Sequence, residues 1–126
     1  MGTGILCIDD DQLFCEAIAT ALSDAGYRAF TACTVGDGLA LLDQVDLAIV
    51  DLNLQGLPGD TLIRAIREVR TMPVILTSGA GSAEGRTIAK ACGADHFLAK
   101  PFDLDELLRV VRTLLAEAAA SRLALN

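Results

Sequence analysis

Gly4-Ile5-Leu6-Cys7-Ile8-Asp9-Asp10-Asp11 is a short apolar run that stops abruptly at three aspartates. Unbroken apolarity suits a strand covered on both faces, since a strand with one wet face would alternate. The run therefore predicts a central strand with acids delivered at its carboxyl end. Leu47-Ala48-Ile49-Val50 repeats the pattern and delivers Asp51. Val74-Ile75-Leu76-Thr77, opened by Pro73, delivers Ser78, and His96-Phe97-Leu98-Ala99 delivers Lys100 followed by Pro101. Arg28-Ala29-Phe30-Thr31-Ala32-Cys33 is more polar, which predicts a strand nearer the sheet edge.

Between these runs the periodicity changes to threes and fours. Leu13, Phe14, Ala17, Ile18, Ala21, Leu22 and Ala25 predict a first helix, ended by a left-handed cap at Gly26. Thr34 is placed to cap a second helix carrying Val35, Leu39 and Leu42. Gln55-Gly56-Leu57-Pro58-Gly59 reads as a loop, and Leu62, Ile63, Ile66 and Val69 mark the inner face of a third helix. The glycine-rich segment Ser78-Gly79-Ala80-Gly81-Ser82 is expected to be mobile, before a short helix around Ile88, Ala89 and Cys92 that stops at Gly93. Asp103 and Glu106 have capping-box spacing ahead of a stripe of Leu104, Leu107, Leu108, Val111, Leu114 and Leu115. Strands alternating with helices imply right-handed crossovers and a parallel sheet between two helical layers. In such a sheet ligands bind beyond the carboxyl ends of the strands, where the winding direction reverses. Asp9, Asp10, Asp51, Ser78 and Lys100 all fall at those ends.

A chain of 126 residues, 52% apolar, suffices for one packed core and is too short for two ordinary domains. Residues 1–117 are expected to form that domain, with the alanine-rich segment 118–126 a helical extension or the start of a linker. The net charge of −7, without a basic stripe, argues against direct binding of nucleic acid. No run approaches the about 18 apolar residues of a membrane span. Met1-Gly2-Thr3 leads into the first strand without a signal-type segment, so a cytoplasmic location is expected. Cys7, Cys15, Cys33 and Cys92 lack C-x-x-C spacing and mostly lie in apolar patterns, which predicts buried free thiols.

Several carboxylates gathered at one sheet end repel one another unless a cation sits among them. Oxygen donors of this kind suit a hard ion, and Mg²⁺ is typically bound by one or two carboxylates, waters and a phosphate oxygen. Asp10 and Asp51 are the best candidate ligands, Asp9 could bind directly or through water, and Asn53 could offer its backbone carbonyl. If Asp51 attacks phosphorus, the metal and Lys100 offset the charge of the phosphoryl oxygens and the Ser78 hydroxyl donates to them. The acyl phosphate formed would draw Ser78 and its loop inward.

Ile8-Asp9-Asp10-Asp11, Val50-Asp51-Leu52-Asn53, Pro73-Val74-Ile75-Leu76-Thr77-Ser78-Gly79 and Lys100-Pro101-Phe102 together resemble the receiver domain of two-component response regulators, over nearly the whole chain. The resemblance implies a flavodoxin-like (βα)5 fold, phosphorylation of Asp51 by a histidine kinase or phosphotransfer protein, Mg²⁺ dependence and eventual hydrolysis. It implies that Asp9 and Asp10 are the acidic pair, Ser78 the switch hydroxyl and Lys100 the phosphate-contacting base, with a cis bond before Pro101. Phe97 falls where many receivers carry an aromatic that turns inward on activation, here without a hydroxyl. The signalling surface would lie on the fourth helix, fifth strand and fifth helix, around Phe97 and Leu107, and could serve a homodimer. An unidentified output domain or target protein would read the change.

Other readings fit less well. Small phosphohydrolases of haloacid dehalogenase type also place a nucleophilic aspartate after an apolar strand, but they need an acid where this chain has Asn53, and a cap domain for which there is no room. A receiver fold used only as an unphosphorylated interaction module would not need the intact set of site residues. Asp11 reads as a solvated surface acid, and His96 as a strand or loop residue rather than a phosphotransfer group.

Overall fold

β1 (Gly4–Ile8), β3 (Leu47–Asp51) and β4 (Val74–Ser78) are buried at every position, as their unbroken apolar sequences require. The computed structural model describes residues 2–54, 59–79 and 82–124. The other strands are β2 (Arg28–Ala32) and β5 (His96–Ala99), and the helices are α1 (Gln12–Asp24), α2 (Val35–Ala40), α3 (Gly59–Val69), α4 (Ser82–Cys92) and α5 (Leu104–Ala124). The strands form one parallel sheet in the order β2-β1-β3-β4-β5, the flavodoxin-like arrangement. The polar β2 is an edge strand, as expected, and β5 is the other edge.

Each central strand divides its side chains between two apolar layers. Leu6, Ile8, Ala48, Val50, Val74 and Leu76 meet Leu62, Ile63 and Ile66 of α3 and Ala89 and Cys92 of α4. Ile5, Cys7, Leu47, Ile49 and Ile75 meet Cys15, Ile18 and Leu22 of α1 and Leu107, Val110, Val111 and Leu114 of α5. Full burial of each large aliphatic is worth about 1.5–3 kcal/mol. The winding direction reverses between β1 and β3: from β1 the chain winds to β2, whereas from β3 it winds the other way through β4 to β5. That reversal opens a crevice at the carboxyl ends of β1 and β3.

Local signals act as sequence chemistry dictates, with a few exceptions. Thr34 Oγ1 accepts a bond from the Asp37 N–H at 3.2 Å at the start of α2, and Gly26 ends the α1 region with φ of 95°. The second helix does not continue to Leu42: it stops at Ala40, and Leu42 is buried from a separate 3-10 turn, Leu42–Gln44. β2 ends at Ala32, so Cys33 lies past it and is exposed, while Cys7, Cys15 and Cys92 are buried free thiols. Val69, expected on the inner face of its helix, is 66% exposed because it is the last residue of α3. Leu104 is 41% exposed in the first turn of α5. α5 runs unbroken across residues 117 and 118 to Ala124. Within the expected loop at residues 55–59, Gly59 opens α3 and residues 55–58 lie outside the described residues. Of the segment expected to be mobile, Ser78 ends β4, Ser82 opens α4, and residues 80–81 lie outside the described residues. No described helix is long and apolar enough to cross a membrane.

Candidate functional site

Strand register brings the site together. Ile8 pairs with Val50, so the next residues, Asp9 and Asp51, emerge side by side at the crevice. Asp51 in turn pairs with Thr77, and Ser78 with Ala99, which places Ser78 and Lys100 along the same rim. Backbone bonds hold these ends in place: Asp9 N–H donates to Ala32 O at 3.0 Å, Leu52 N–H to Thr77 O at 2.8 Å and Lys100 N–H to Ser78 O at 2.8 Å.

Asp9, Asp10 and Asp51 each present a carboxylate oxygen, and these atoms lie within 4.8 Å of one another. Asp9 and Asp51 are buried, whereas Asp10 faces solvent. At an effective dielectric near 20, two unit charges at the 4.8 Å limit repel by about 3.5 kcal/mol. Lys100 relieves part of this. Its Nζ donates to Asp9 Oδ2 at 2.7 Å and stands 3.7 Å from Asp51 Oδ1. Three carboxylates against one ammonium still leave an excess of negative charge on oxygen donors, with Asp10 open to water. That donor set fits a hard divalent cation that keeps part of its hydration shell.

Burial raises the Asp51 carboxyl above its ordinary range, and the Asp9 charge adds to the shift; Lys100 and a backbone hydrogen bond from Asn53 oppose it. Burial works against the Lys100 charge, but the Asp9 bond and the Asp51 and Asp9 charges outweigh it and raise the ammonium above its usual value. The nucleophile candidate is thus a desolvated carboxylate beside a firmly cationic lysine.

Ser78 and Thr77 are both fully enclosed in β4; Thr77 Oγ1 donates to Val50 O at 3.4 Å, which commits it to the sheet. The Lys100–Pro101 peptide is cis. Phe97 stands apart from the acids: its ring is buried against α4, where a Cβ on Gly85 would come within 2.5 Å of Phe97 Cζ. The Arg86 guanidinium lies 5.7 Å from the Phe97 ring centroid.

Two contributions escape a reading of the sequence. Lys100 Nζ rests 4.2 Å from the centroid of Phe14, which packs edge-on against Phe102 at 5.9 Å, so an aromatic wall positions the ammonium. Periodicity alone makes Phe14 one more member of a core stripe. Asp11 is exposed, yet it caps α1, its Oδ1 accepting from Phe14 N–H at 3.1 Å. Its own N–H donates to Asp9 Oδ1 at 2.9 Å, tying the cap to the buried acid. An aspartate immediately before a helical pattern is the available signal.

Known proteins resemble the chain in sequence and in fold. The chain is 35% identical over 121 residues to the KDP operon transcriptional regulatory protein KdpE of Escherichia coli K12, covering 94% of this chain and 54% of that protein. It is 31% identical over 117 residues to the regulatory protein VanR of Enterococcus faecium, covering 91% and 51%. It therefore spans about half the length of the curated relatives it matches. A CheY-like response regulator receiver domain protein from Methanospirillum hungatei JF-1 superposes with a TM-score of 0.89 at 28% identity, covering 96% of this chain and 99% of that one. NtrX from Brucella abortus superposes with a TM-score of 0.91 at 32% identity, over 98% of this chain and 29% of that one. The sequence profile of the response regulator receiver domain matches residues 5–112. With the sheet order, the clustered acids and these relatives in agreement, the chain belongs to the response regulator receiver domain family of two-component systems.

Proposed function

We propose that Asp51 accepts a phosphoryl group from a histidine kinase or phosphotransfer protein, and that the domain is a regulatory phospho-acceptor rather than an enzyme acting on small substrates. One arrangement carries this reading: a buried Asp51 carboxylate 3.7 Å from Lys100 Nζ, with oxygens of Asp9 and Asp10 within 4.8 Å. Asp10 and Asp51 would hold Mg²⁺, joined by Asp9 directly or through water and by the Asn53 backbone carbonyl. Bound there, the ion supplies positive charge that offsets the carboxylates and the phosphoryl oxygens. The Asp51 oxygen attacks phosphorus as the P–N bond of the donor phosphohistidine breaks, and the bonding pair leaves on the imidazole nitrogen. Lys100, kept cationic and braced by Phe14, bonds a phosphoryl oxygen, and the Ser78 hydroxyl donates to another. Dephosphorylation reverses the charge change. Water adds to phosphorus, the bond to the Asp51 oxygen breaks, and inorganic phosphate leaves.

A donor must approach over the strand ends, beside which Phe14, Ala17, Ile18, Lys100, Pro101, Phe102 and the 41% exposed Leu104 form a groove of about 520 Å³. An apolar face on the donor fits there and brings its phosphohistidine to Asp51. Residues 1–117 form the receiver and 118–126 its extension. Phosphorylation alters the α4, β5 and α5 surface, which then engages an output domain, a target protein or a second copy; Phe97 and Leu107, expected at that surface, are buried beneath it, at 8% and 0% exposure. The exchange takes place in the cytoplasm.

Incubation with acetyl phosphate and magnesium, followed by intact-mass measurement, tests the reading. One phosphoryl group should add, and chelation or Asp51→Asn should abolish it. Labelling that persists in Asp51→Asn, or that is indifferent to magnesium, would overturn the assignment.

A further inference from the structure

Two buried thiols sit next to the acids. Cys7 points from β1 toward α1, and Cys15 points back from the first turn of α1; each is 1% exposed. Cys15 Sγ lies 3.9 Å from Cys7 Sγ and donates to the Asp9 backbone oxygen at 3.3 Å. Both thiols are free. Cys92 cannot join them, because it belongs to the apolar layer on the opposite face of the sheet. Asp9, Asp10 and Asp11 all lie in the chain between the two sulfurs.

We propose that Cys7 and Cys15 form a peroxide-sensitive dithiol whose oxidation to a disulfide slows phosphorylation of the site above it. The chemistry needs only a hydroperoxide such as hydrogen peroxide. One thiol sulfur attacks a peroxide oxygen, the O–O bond breaks, and a sulfenic acid and one water result. The second thiol sulfur then attacks the sulfenic sulfur, forming S–S and releasing a second water as the S–O bond breaks. Two electrons leave the sulfurs and reduce the peroxide. The reagent reaches the pair through local opening of the first turn of α1.

The geometry links this bond to the acids. A disulfide requires sulfurs about 2.05 Å apart, so the pair must close from 3.9 Å by about 1.9 Å, and whatever side-chain rotation does not supply comes from α1 moving toward β1. The closed ring encloses the turn that presents Asp9 and Asp10. It also removes the S–H that donates to the Asp9 backbone oxygen. Asp9 is the residue that holds Lys100 at 2.7 Å, so the shift reaches the lysine as well. The effect on labelling rests on the reading of Asp51 given above; formation of the bond does not.

The experiment uses the whole chain carrying Cys33→Ser, which removes the exposed thiol. After treatment with hydrogen peroxide the protein is denatured, alkylated and cut with trypsin, which releases residues 1–28 as one peptide carrying both cysteines. That peptide should be two hydrogens lighter and free of alkyl groups, and dithiothreitol should restore double alkylation. Labelling by acetyl phosphate and magnesium should fall about tenfold in the oxidised protein and recover on reduction. It should be insensitive to peroxide once Cys15→Ser is added, since serine keeps a donor toward the Asp9 backbone oxygen. Cys7→Ala serves the same purpose should that variant fail to fold. Full alkylation after peroxide, or separate sulfinic acids on the two residues, overturns the proposal whatever happens at Asp51. A disulfide that forms but leaves labelling unchanged overturns the coupling. Reduced protein that takes no label overturns the coupling together with the Asp51 reading, while the peptide mass still decides the bond.

Discussion

Replacing Lys100 by methionine keeps an unbranched apolar stem and removes the ammonium, with its contacts to Asp9, Asp51 and Phe14. At an effective dielectric near 20, its separations of 2.7 Å from Asp9 and 3.7 Å from Asp51 correspond to attractions of about 6 and about 4.5 kcal/mol. Desolvation of all three groups offsets much of this. The lysine side chain retains 23% exposure and Asp9 only 1%, so the loss is that of removing one partner of a largely buried pair, about 3 kcal/mol. For a domain of this size that lowers the melting temperature by about 10 °C, measured in chelator by calorimetry. The deficit should depend on pH with a definite sign. The Lys100 ammonium is raised above its unfolded value, so its stabilisation is complete below the ordinary lysine range and is lost as pH rises through the folded value. Wild type and variant should therefore converge at strongly alkaline pH. Two further readouts move in opposite directions. Magnesium should bind the variant more tightly, because three carboxylates no longer share an internal cation, whereas labelling by acetyl phosphate should slow about 10²-fold for want of charge on the phosphoryl oxygen. A Lys100→Met protein with wild-type stability, magnesium affinity and labelling rate would refute the account of the site.

Asp51→Asn should be more stable than wild type at neutral pH without divalent ions, because a carboxyl raised by burial destabilises the fold once ionised; the gap should close as pH falls below the ordinary aspartate value, and magnesium should narrow it by stabilising wild type alone. Gly85→Ala places a methyl group 2.5 Å from Phe97 Cζ, which should destabilise the domain by about 1–3 kcal/mol in urea unfolding and displace the ring, visible as altered Phe97 side-chain shifts in NMR. Asp11→Ala loses the α1 cap and the tie to Asp9, lowering stability by about 1 kcal/mol in the same assay.

The sheet was legible because burial on both faces leaves an unmistakable mark: Ile5 to Ile8, Leu47 to Val50 and Val74 to Leu76 have no wet side to vary. The acids and the lysine were legible because each follows such a run, so a topology that aligns strand ends must collect them. Periodicity is silent on where a helix outruns the sheet, which is why Val69 and Leu104 look like core and are exposed. It is equally silent on tight turns, and Leu42 keeps the helical spacing while the backbone beneath it has changed to a 3-10 turn. The contact of Lys100 with Phe14 joins distant stretches of chain, and an aromatic on a helix face carries no sign of what lies across it. The resemblance singles out Phe97 as a switch aromatic, but its socket is not legible in the sequence: only the missing Cβ of Gly85 reveals it.

α5 begins at Leu104, a short step along the chain from Lys100, and then runs 21 residues to Ala124. At 1.5 Å per residue that is a rod of about 31 Å, so a pivot of about 5° at its root swings its tip by about 2.7 Å. A rearrangement too small to disturb the sheet becomes, at the far end of that lever, large enough to make or break a contact.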